Sequence, residues 1–82
     1  MYFVTTKRAG YCLFCTTPSE RAAIGLTDDQ KRVHVLEREG KDWRIRRDWP
    51  VEEHSHTELM SRLARVEEPP SVDELVRLAV GS

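Results

Sequence analysis

The stretch VHVLEREGKDWRIR, residues 33–46, carries the clearest fold signal in this chain. Both of its ends alternate apolar and polar side chains, and EGKD at residues 39–42 has the composition of a tight turn. The pattern predicts a β-hairpin, because strand side chains point to opposite faces in turn. One face of this hairpin would gather four apolar side chains that pair across the strands, namely Val33, Val35, Trp43 and Ile45.

A helix over residues 28–39 is the alternative for the first half of this stretch. TDDQ at residues 27–30 matches a capping box, and Gly40 would end such a helix. The apolar stripe of that helix would consist of Val33 and Leu36 alone, which buries little surface. The hairpin is therefore favoured, and the helix stays open as the second interpretation.

The N-terminal segments predict a further hairpin followed by a short helix. YFVTT at residues 2–6 and YCLFCT at residues 11–16 both alternate, with the polar turn KRAG at residues 7–10 between them. TPSE at residues 17–20 then offers a threonine cap, a proline suited to the first helical turn and a glutamate that completes a capping box. We expect a short helix near residues 18–25.

Two helices are predicted at the C-terminal end. SHTE at residues 55–58 and SVDE at residues 71–74 are capping boxes, and each is followed by apolar residues at helical spacing. EEPP at residues 67–70 stops the first helix, and Gly81 ends the second. The two helices would be joined by a proline corner.

These elements predict one α+β domain over residues 1–82. A small antiparallel sheet of about four strands, made of two hairpins, would be covered on one face by the two C-terminal helices. We expect the following side chains inside: Phe3, Leu13, Ile24, Val33, Val35, Trp43, Ile45, Leu59, Leu63, Leu75 and Val76.

Charge is separated along the chain although the formal net charge is only −1. Residues 31–49 hold seven bases and four acids, whereas residues 50–82 hold three bases and seven acids. Such a separation attracts a charged partner or is neutralised within the molecule. The residues expected to bind a partner are four arginines and one aromatic anchor: Arg38, Arg44, Arg46, Arg47 and Trp49.

Four residues have the ligand types of a zinc site, but the sequence around them does not favour one. Cys12, Cys15, His54 and His56 have the ligand types of a tetrahedral zinc site. However, the CxxC interior is Leu-Phe in a predicted strand, so two small buried thiols are the favoured interpretation and no cofactor is expected. His34, on the polar face of a predicted strand, is expected at the surface.

Catalytic motifs are missing from the sequence: it has no glycine-rich phosphate loop, nucleophile elbow or HExxH. We therefore expect a non-enzymatic protein-interaction module, such as a phage-type anti-defence inhibitor or an adaptor that occludes a larger host or viral complex. The alternative is a DNA- or RNA-binding regulator that uses the basic hairpin and can form a homodimer. Without an apolar leader or a run long enough to span a bilayer, a cytoplasmic location without membrane contact is expected.

Overall fold

Five antiparallel strands and two helices form the fold. The computed structural model describes the backbone of residues 2–8 and 10–81 and the side chains of residues 7, 10–55 and 57–81. Its elements are β1 (Tyr2–Arg8), β2 (Tyr11–Thr16), β3 (Ala22–Thr27), β4 (Arg32–Glu39), β5 (Asp42–Pro50), α1 (His56–Leu63) and α2 (Val72–Val80). Each strand pairs with the next in the order β1-β2-β3-β4-β5. The α+β class, the small antiparallel sheet and the two C-terminal helices are thus confirmed.

The short helix expected near residues 18–25 is wrong, because this segment is a turn followed by the central strand β3. The Thr17 hydroxyl oxygen accepts hydrogen bonds from the backbone N–H of Arg21 at 3.1 Å and of Ala22 at 3.3 Å. Glu20 sits in the left-handed region at φ 58°. The same capping chemistry that starts a helix also closes a turn between strands. The sheet consequently has five strands rather than about four.

The second capping-box pattern, at residues 27–30, is also a turn. The Thr27 hydroxyl oxygen accepts from the Arg32 N–H at 3.2 Å, and the Asp29 carboxylate accepts from the Lys31 N–H at 3.0 Å. Residues 32–39 then form β4, so the helical alternative over residues 28–39 is wrong and the hairpin is confirmed.

The two C-terminal helices begin and end as expected. The Ser55 hydroxyl accepts from the backbone N–H of Glu58, and the Ser71 hydroxyl accepts from that of Glu74. Gly81 takes the left-handed conformation at φ 77° that closes α2. No helix in the described part of the chain combines the length and apolarity needed to cross a bilayer.

A register shift between β4 and β5 determines which side chains enter the core. The strands pair regularly on either side of an irregularity between Val35 and Leu36, where β5 carries the additional residue Arg46. The pairs around it are Val33 with Trp49, Val35 with Arg47, Leu36 with Ile45 and Arg38 with Trp43. The expected pairing of Val33 and Val35 with Ile45 and Trp43 is therefore wrong, because a bulge reverses the alternation of faces along its strand.

The main core lies between one face of the sheet and the two helices. Its buried members are Phe14, Cys15, Ala22, Ile24, Val33, Val35, Trp49, Leu59, Leu63, Val72, Leu75 and Ala79. We call the opposite side of the sheet the helix-free face. There a smaller cluster of Leu13, Ala23 and Leu36 is buried with Tyr11 and Trp43 packed against it.

Most of the expected core is confirmed, with three departures and one residue that is not described. Leu13, Ile24, Val33, Val35, Leu59, Leu63 and Leu75 are all buried. Val76 is partly buried at the margin of the main core, and Trp43 is partly buried on the helix-free face. Ile45 is 50% exposed, because the bulge turns it away from the helices. The side chain of Phe3 lies outside the described residues.

Candidate functional site

The bulge at Arg46 divides the residues expected to bind a partner between two surfaces. Arg38 pairs with Trp43 on the helix-free face, whereas Arg46 and Arg47 lie beside α2. Trp49 is on neither surface, since it is only 8% exposed and packs in the main core with its ring edge-on to His54 at 5.5 Å. The reversed alternation sends this side chain inward, so Trp49 lies on neither surface as the expected aromatic anchor.

Trp43, Ile45 and Arg38 lie together on the helix-free face, where Ile45 and Arg38 are exposed and Trp43 is partly buried; we call them the Trp43 surface. The guanidinium carbon of Arg38 lies 5.8 Å from the centre of the Trp43 ring, within the range of a cation–π contact. Ile45 is two residues further along β5 on the same face and is half exposed. The sequence pattern predicts Trp43 and Ile45 in the core, because nothing in it indicates the bulge that places them on the helix-free face.

The Trp43 surface rests on the small cluster of Leu13, Ala23 and Leu36. Gly25, in the central strand, lets this cluster form. A Cβ atom at Gly25 would lie 2.9 Å from Leu13 Cδ2 and 3.1 Å from Tyr11 Cβ. Those distances are shorter than ordinary van der Waals contacts, so these two side chains cover β3 closely only because position 25 has no side chain.

A polar network crosses the same face beside this cluster. The Tyr11 hydroxyl lies 2.8 Å from His34 Nδ1, and His34 Nε2 lies 3.6 Å from an Asp48 carboxylate oxygen. Arg32 Nε donates to that same oxygen at 3.1 Å. This geometry fits an imidazole that is protonated at Nε2, with the phenol donating to Nδ1.

Burial favours the uncharged forms of Tyr11 and His34, the two rings at the centre of this network. It lowers the pKa of His34 below the ordinary value, an effect that Asp48 opposes and Arg32 reinforces. Burial also raises the pKa of Tyr11, with a smaller contribution from Asp48. His34 is 8% exposed, so its expected place at the surface is wrong. A neutral histidine held by a protonated phenol satisfies buried polar atoms and orients both rings.

The possible zinc ligands are not assembled in the described part of the chain. No group of three or more His, Cys, Asp or Glu side chains that could hold a metal occurs there, so Cys12, Cys15 and His54 do not meet as a ligand set. The side chain of His56 lies outside the described residues. Cys15 is fully buried, and burial raises the pKa of its thiol to about 11. Its sulfur is therefore a weak nucleophile at neutral pH.

Four of the seven bases in residues 31–49 form ion pairs within the molecule. Arg46 contacts the carboxylates of Glu37 and Asp73, each at 2.5 Å. Arg44 lies 3.3 Å from Glu39. Glu37 and Glu39 belong to the basic stretch itself, so among the described side chains only the contact of Arg46 with Asp73 joins residues 31–49 to the acidic residues 50–82.

Arg47 is the exception among the basic residues of β5. It is exposed and forms no ion pair with any side chain that the structure describes. It lines a groove of about 510 Å³ between β5 and α2, which we call the β5–α2 groove. The lining consists of Arg46, Arg47, Asp73, Val76, Arg77 and Val80.

Comparison with known proteins provides no relative from which a role could be transferred. No protein-family model matches the chain, and neither a curated protein nor a solved structure matches it. The two surfaces described above are therefore the features from which a function can be inferred.

Proposed function

We propose that this protein is a small interaction module that binds a partner protein through the Trp43 surface. The observation that carries the proposal is the position of Trp43, with Arg38 over its ring and Ile45 beside it, on a sheet face that no described helix covers. Tryptophan and arginine contribute most of the binding energy at many protein interfaces. A single exposed isoleucine is ordinary, but Ile45 lies beside Trp43 and Arg38 and so enlarges the apolar surface that a partner can contact.

The chemistry of this surface indicates what the partner presents. Trp43 and Ile45 fit an apolar recess, and Arg38 fits a carboxylate at its rim. The nearest acid to Arg38 is Glu20 at 3.7 Å, with both side chains well exposed, so this internal pair is weak. A carboxylate of the partner can therefore replace Glu20. Binding of this kind acts by occlusion or bridging, as an inhibitor or adaptor of a larger complex does.

The test is a tagged pull-down from source-cell lysate after nuclease treatment, with the captured proteins identified by mass spectrometry. The variant Ile45→Glu places a charge at the centre of the Trp43 surface on a side chain that is already half exposed. Ser61→Glu is the matched control, since it adds the same charge at an exposed position of α1. Circular dichroism confirms that both variants fold.

A partner that is retained by the wild type and by Ser61→Glu but lost with Ile45→Glu supports the proposal. A partner that all three proteins retain equally places the interface elsewhere. If nothing is retained once nucleic acid has been digested, the protein-binding role fails.

Binding of single-stranded nucleic acid is the second candidate, because an aromatic ring beside arginine on an open sheet face can stack on a base. It ranks lower because Arg32 on this face is already paired with Asp48 and the net charge of the chain is −1. Titration with a fluorescent oligonucleotide at increasing salt tests it. Affinity that falls steeply with salt and is lost in Trp43→Ala would favour this role.

A further inference from the structure

The β5–α2 groove differs from the Trp43 surface in both position and chemistry. It lies beside α2, and three of its six lining residues are arginines. Val76 and Val80, both partly buried at the edge of the main core, provide apolar surface in the same groove. Arginines beside an apolar floor suit a segment that carries both carboxylates and aliphatic side chains.

The arginine at the centre of the groove is held in place from two sides. Arg46 reaches Glu37 on β4 with one nitrogen and Asp73 on α2 with the other. Its own side chain is 26% exposed, as is that of Glu37, whereas the side chain of Asp73 is 82% exposed. Asp73 is therefore a carboxylate bound at the surface, where a carboxylate from another molecule can take its place.

Arg47 contributes a positive charge to the groove, and no described side chain forms an ion pair with it. At the far side of the groove, Arg77 is paired with Glu74 of the same helix. β5 is also the last strand of the sheet, so an extended segment in the groove would run beside an edge strand. Charge, apolar surface and strand edge point to the same class of ligand.

We infer that the β5–α2 groove is a second binding site, which takes an extended acidic segment of a protein. One carboxylate of the segment pairs with Arg47, a second replaces Asp73 on Arg46, and aliphatic side chains between them contact Val76 and Val80. Asp73 acts as an internal competitor that weakens this binding. The site goes beyond the proposed role of the Trp43 surface and does not depend on it.

The test is calorimetric titration with a blocked peptide in which glutamate and valine alternate. Arg47→Glu is expected to weaken binding about tenfold, because it replaces an attraction with a repulsion. Asp73→Asn is expected to strengthen it about threefold, the scale of one exposed ion pair, because the competing carboxylate is removed. Circular dichroism checks that α2, whose first turn contains Asp73, remains helical.

Two matched controls separate this site from general electrostatics. Arg65→Glu changes the charge as Arg47→Glu does, at an exposed residue that follows α1. Asp42→Asn changes it as Asp73→Asn does, at an exposed residue of β5 outside the groove lining. Both controls are expected to bind the peptide as the wild type does. Ile45→Glu should also leave this binding unchanged, so failure here is distinguishable from failure of the Trp43 surface.

Three outcomes would overturn the inference. The first is no saturable binding of the peptide. The second is equal weakening by Arg47→Glu and Arg65→Glu, which indicates a long-range effect of charge. The third is displacement of the peptide by inorganic phosphate at equal concentration, which indicates a general anion site. Strengthened binding in Asp73→Asn alone, without strengthening in Asp42→Asn, would be the most specific support.

Discussion

Trp43 and Trp49 lie six residues apart on the same strand but belong to different faces of the sheet. Trp49 is 8% exposed and packs beneath the helices, whereas Trp43 lies partly buried on the helix-free face. Strict alternation would place both on one face, because their positions differ by an even number. The bulge at Arg46 separates them. A single additional residue thus determines which tryptophan packs in the main core and which lies on the helix-free face.

Replacing each tryptophan with alanine tests this comparison, and Trp49→Ala should give the greatest loss of stability. Trp49→Ala should lower the free energy of unfolding by about 3–5 kcal/mol, because it leaves a cavity in the main core. A chain of this size has little more stability than that, so the variant is expected to be largely unfolded at 25 °C. Trp43→Ala should cost less than half as much. Urea unfolding followed by circular dichroism measures both, and a larger loss from Trp43→Ala would reverse the assignment of the two faces.

Gly25→Ala should break the packing on the helix-free face. The added Cβ would meet Leu13 Cδ2 at 2.9 Å and Tyr11 Cβ at 3.1 Å. We expect a loss of about 1–3 kcal/mol in the free energy of unfolding, as for other overpacked sites. Combined with Leu13→Ala, which removes one of the clashing atoms, the loss should be smaller than the sum of the two single losses. Simple additivity would contradict this explanation.

Tyr11→Phe should have an effect of about 1–2 kcal/mol, because it leaves the buried Nδ1 of His34 without its 2.8 Å partner. Thermal unfolding at pH 7.5 measures the loss. Tyr11→Phe removes one hydroxyl and little volume, so it separates the hydrogen bond from packing. A variant as stable as the wild type would show that solvent replaces the phenol.

The pH dependence of stability tests the same contact between Tyr11 and His34. Burial lowers the pKa of His34 below the ordinary 6.5, so the unfolded chain binds a proton more readily than the folded one in mild acid. The stabilisation by neutral His34 is complete above pH 6.5 and is lost as the pH falls from there toward the folded-state pKa. His34→Gln should therefore show a smaller decrease in stability than the wild type between about pH 6.5 and 5. Equal pH profiles would contradict the assignment.

The smallest expected effect concerns the outer ion pairs of β5. Arg44 lies 3.3 Å from Glu39, with side chains 62% and 57% exposed. Arg44→Ala should change the free energy of unfolding by less than about 0.5 kcal/mol, because exposed pairs contribute little. Arg46→Ala should cost more, since Arg46 joins β4, β5 and α2 through Glu37 and Asp73. Parallel urea titrations compare the two, and equal losses would argue against a special role for Arg46.

Four capping-box patterns in this chain illustrate how far local sequence reaches. Those at residues 55–58 and 71–74 start helices, while those at residues 17–20 and 27–30 close turns. In all four the side chain satisfies nearby backbone N–H groups, which is all that the pattern itself specifies. After the first two, apolar residues recur at helical spacing. The patterns at residues 17–20 and 27–30 are followed by β3 and β4, which are strands because they pair with their neighbours and pack on both faces of the sheet.

The candidate surfaces were only partly predictable. The basic character of residues 31–49 indicates Arg38, Arg46 and Arg47, and Arg38 and Arg47 are exposed. No sequence pattern indicates that these arginines lie on two different surfaces, or that Ile45 is exposed. The network of Tyr11, His34 and Asp48 joins three strands, and no spacing in the sequence indicates contacts of that kind.

Local sequence patterns account for the α+β class, the two C-terminal helices with their serine caps, and the hairpin of β4 and β5. Each of these depends on periodicity or on contacts between residues close in the chain. Tertiary structure decided which face each residue of β5 occupies, which arginines are neutralised and which tryptophan is inside. Those outcomes depend on one register shift and on ion pairs with α2, and both arise from packing between segments distant in sequence.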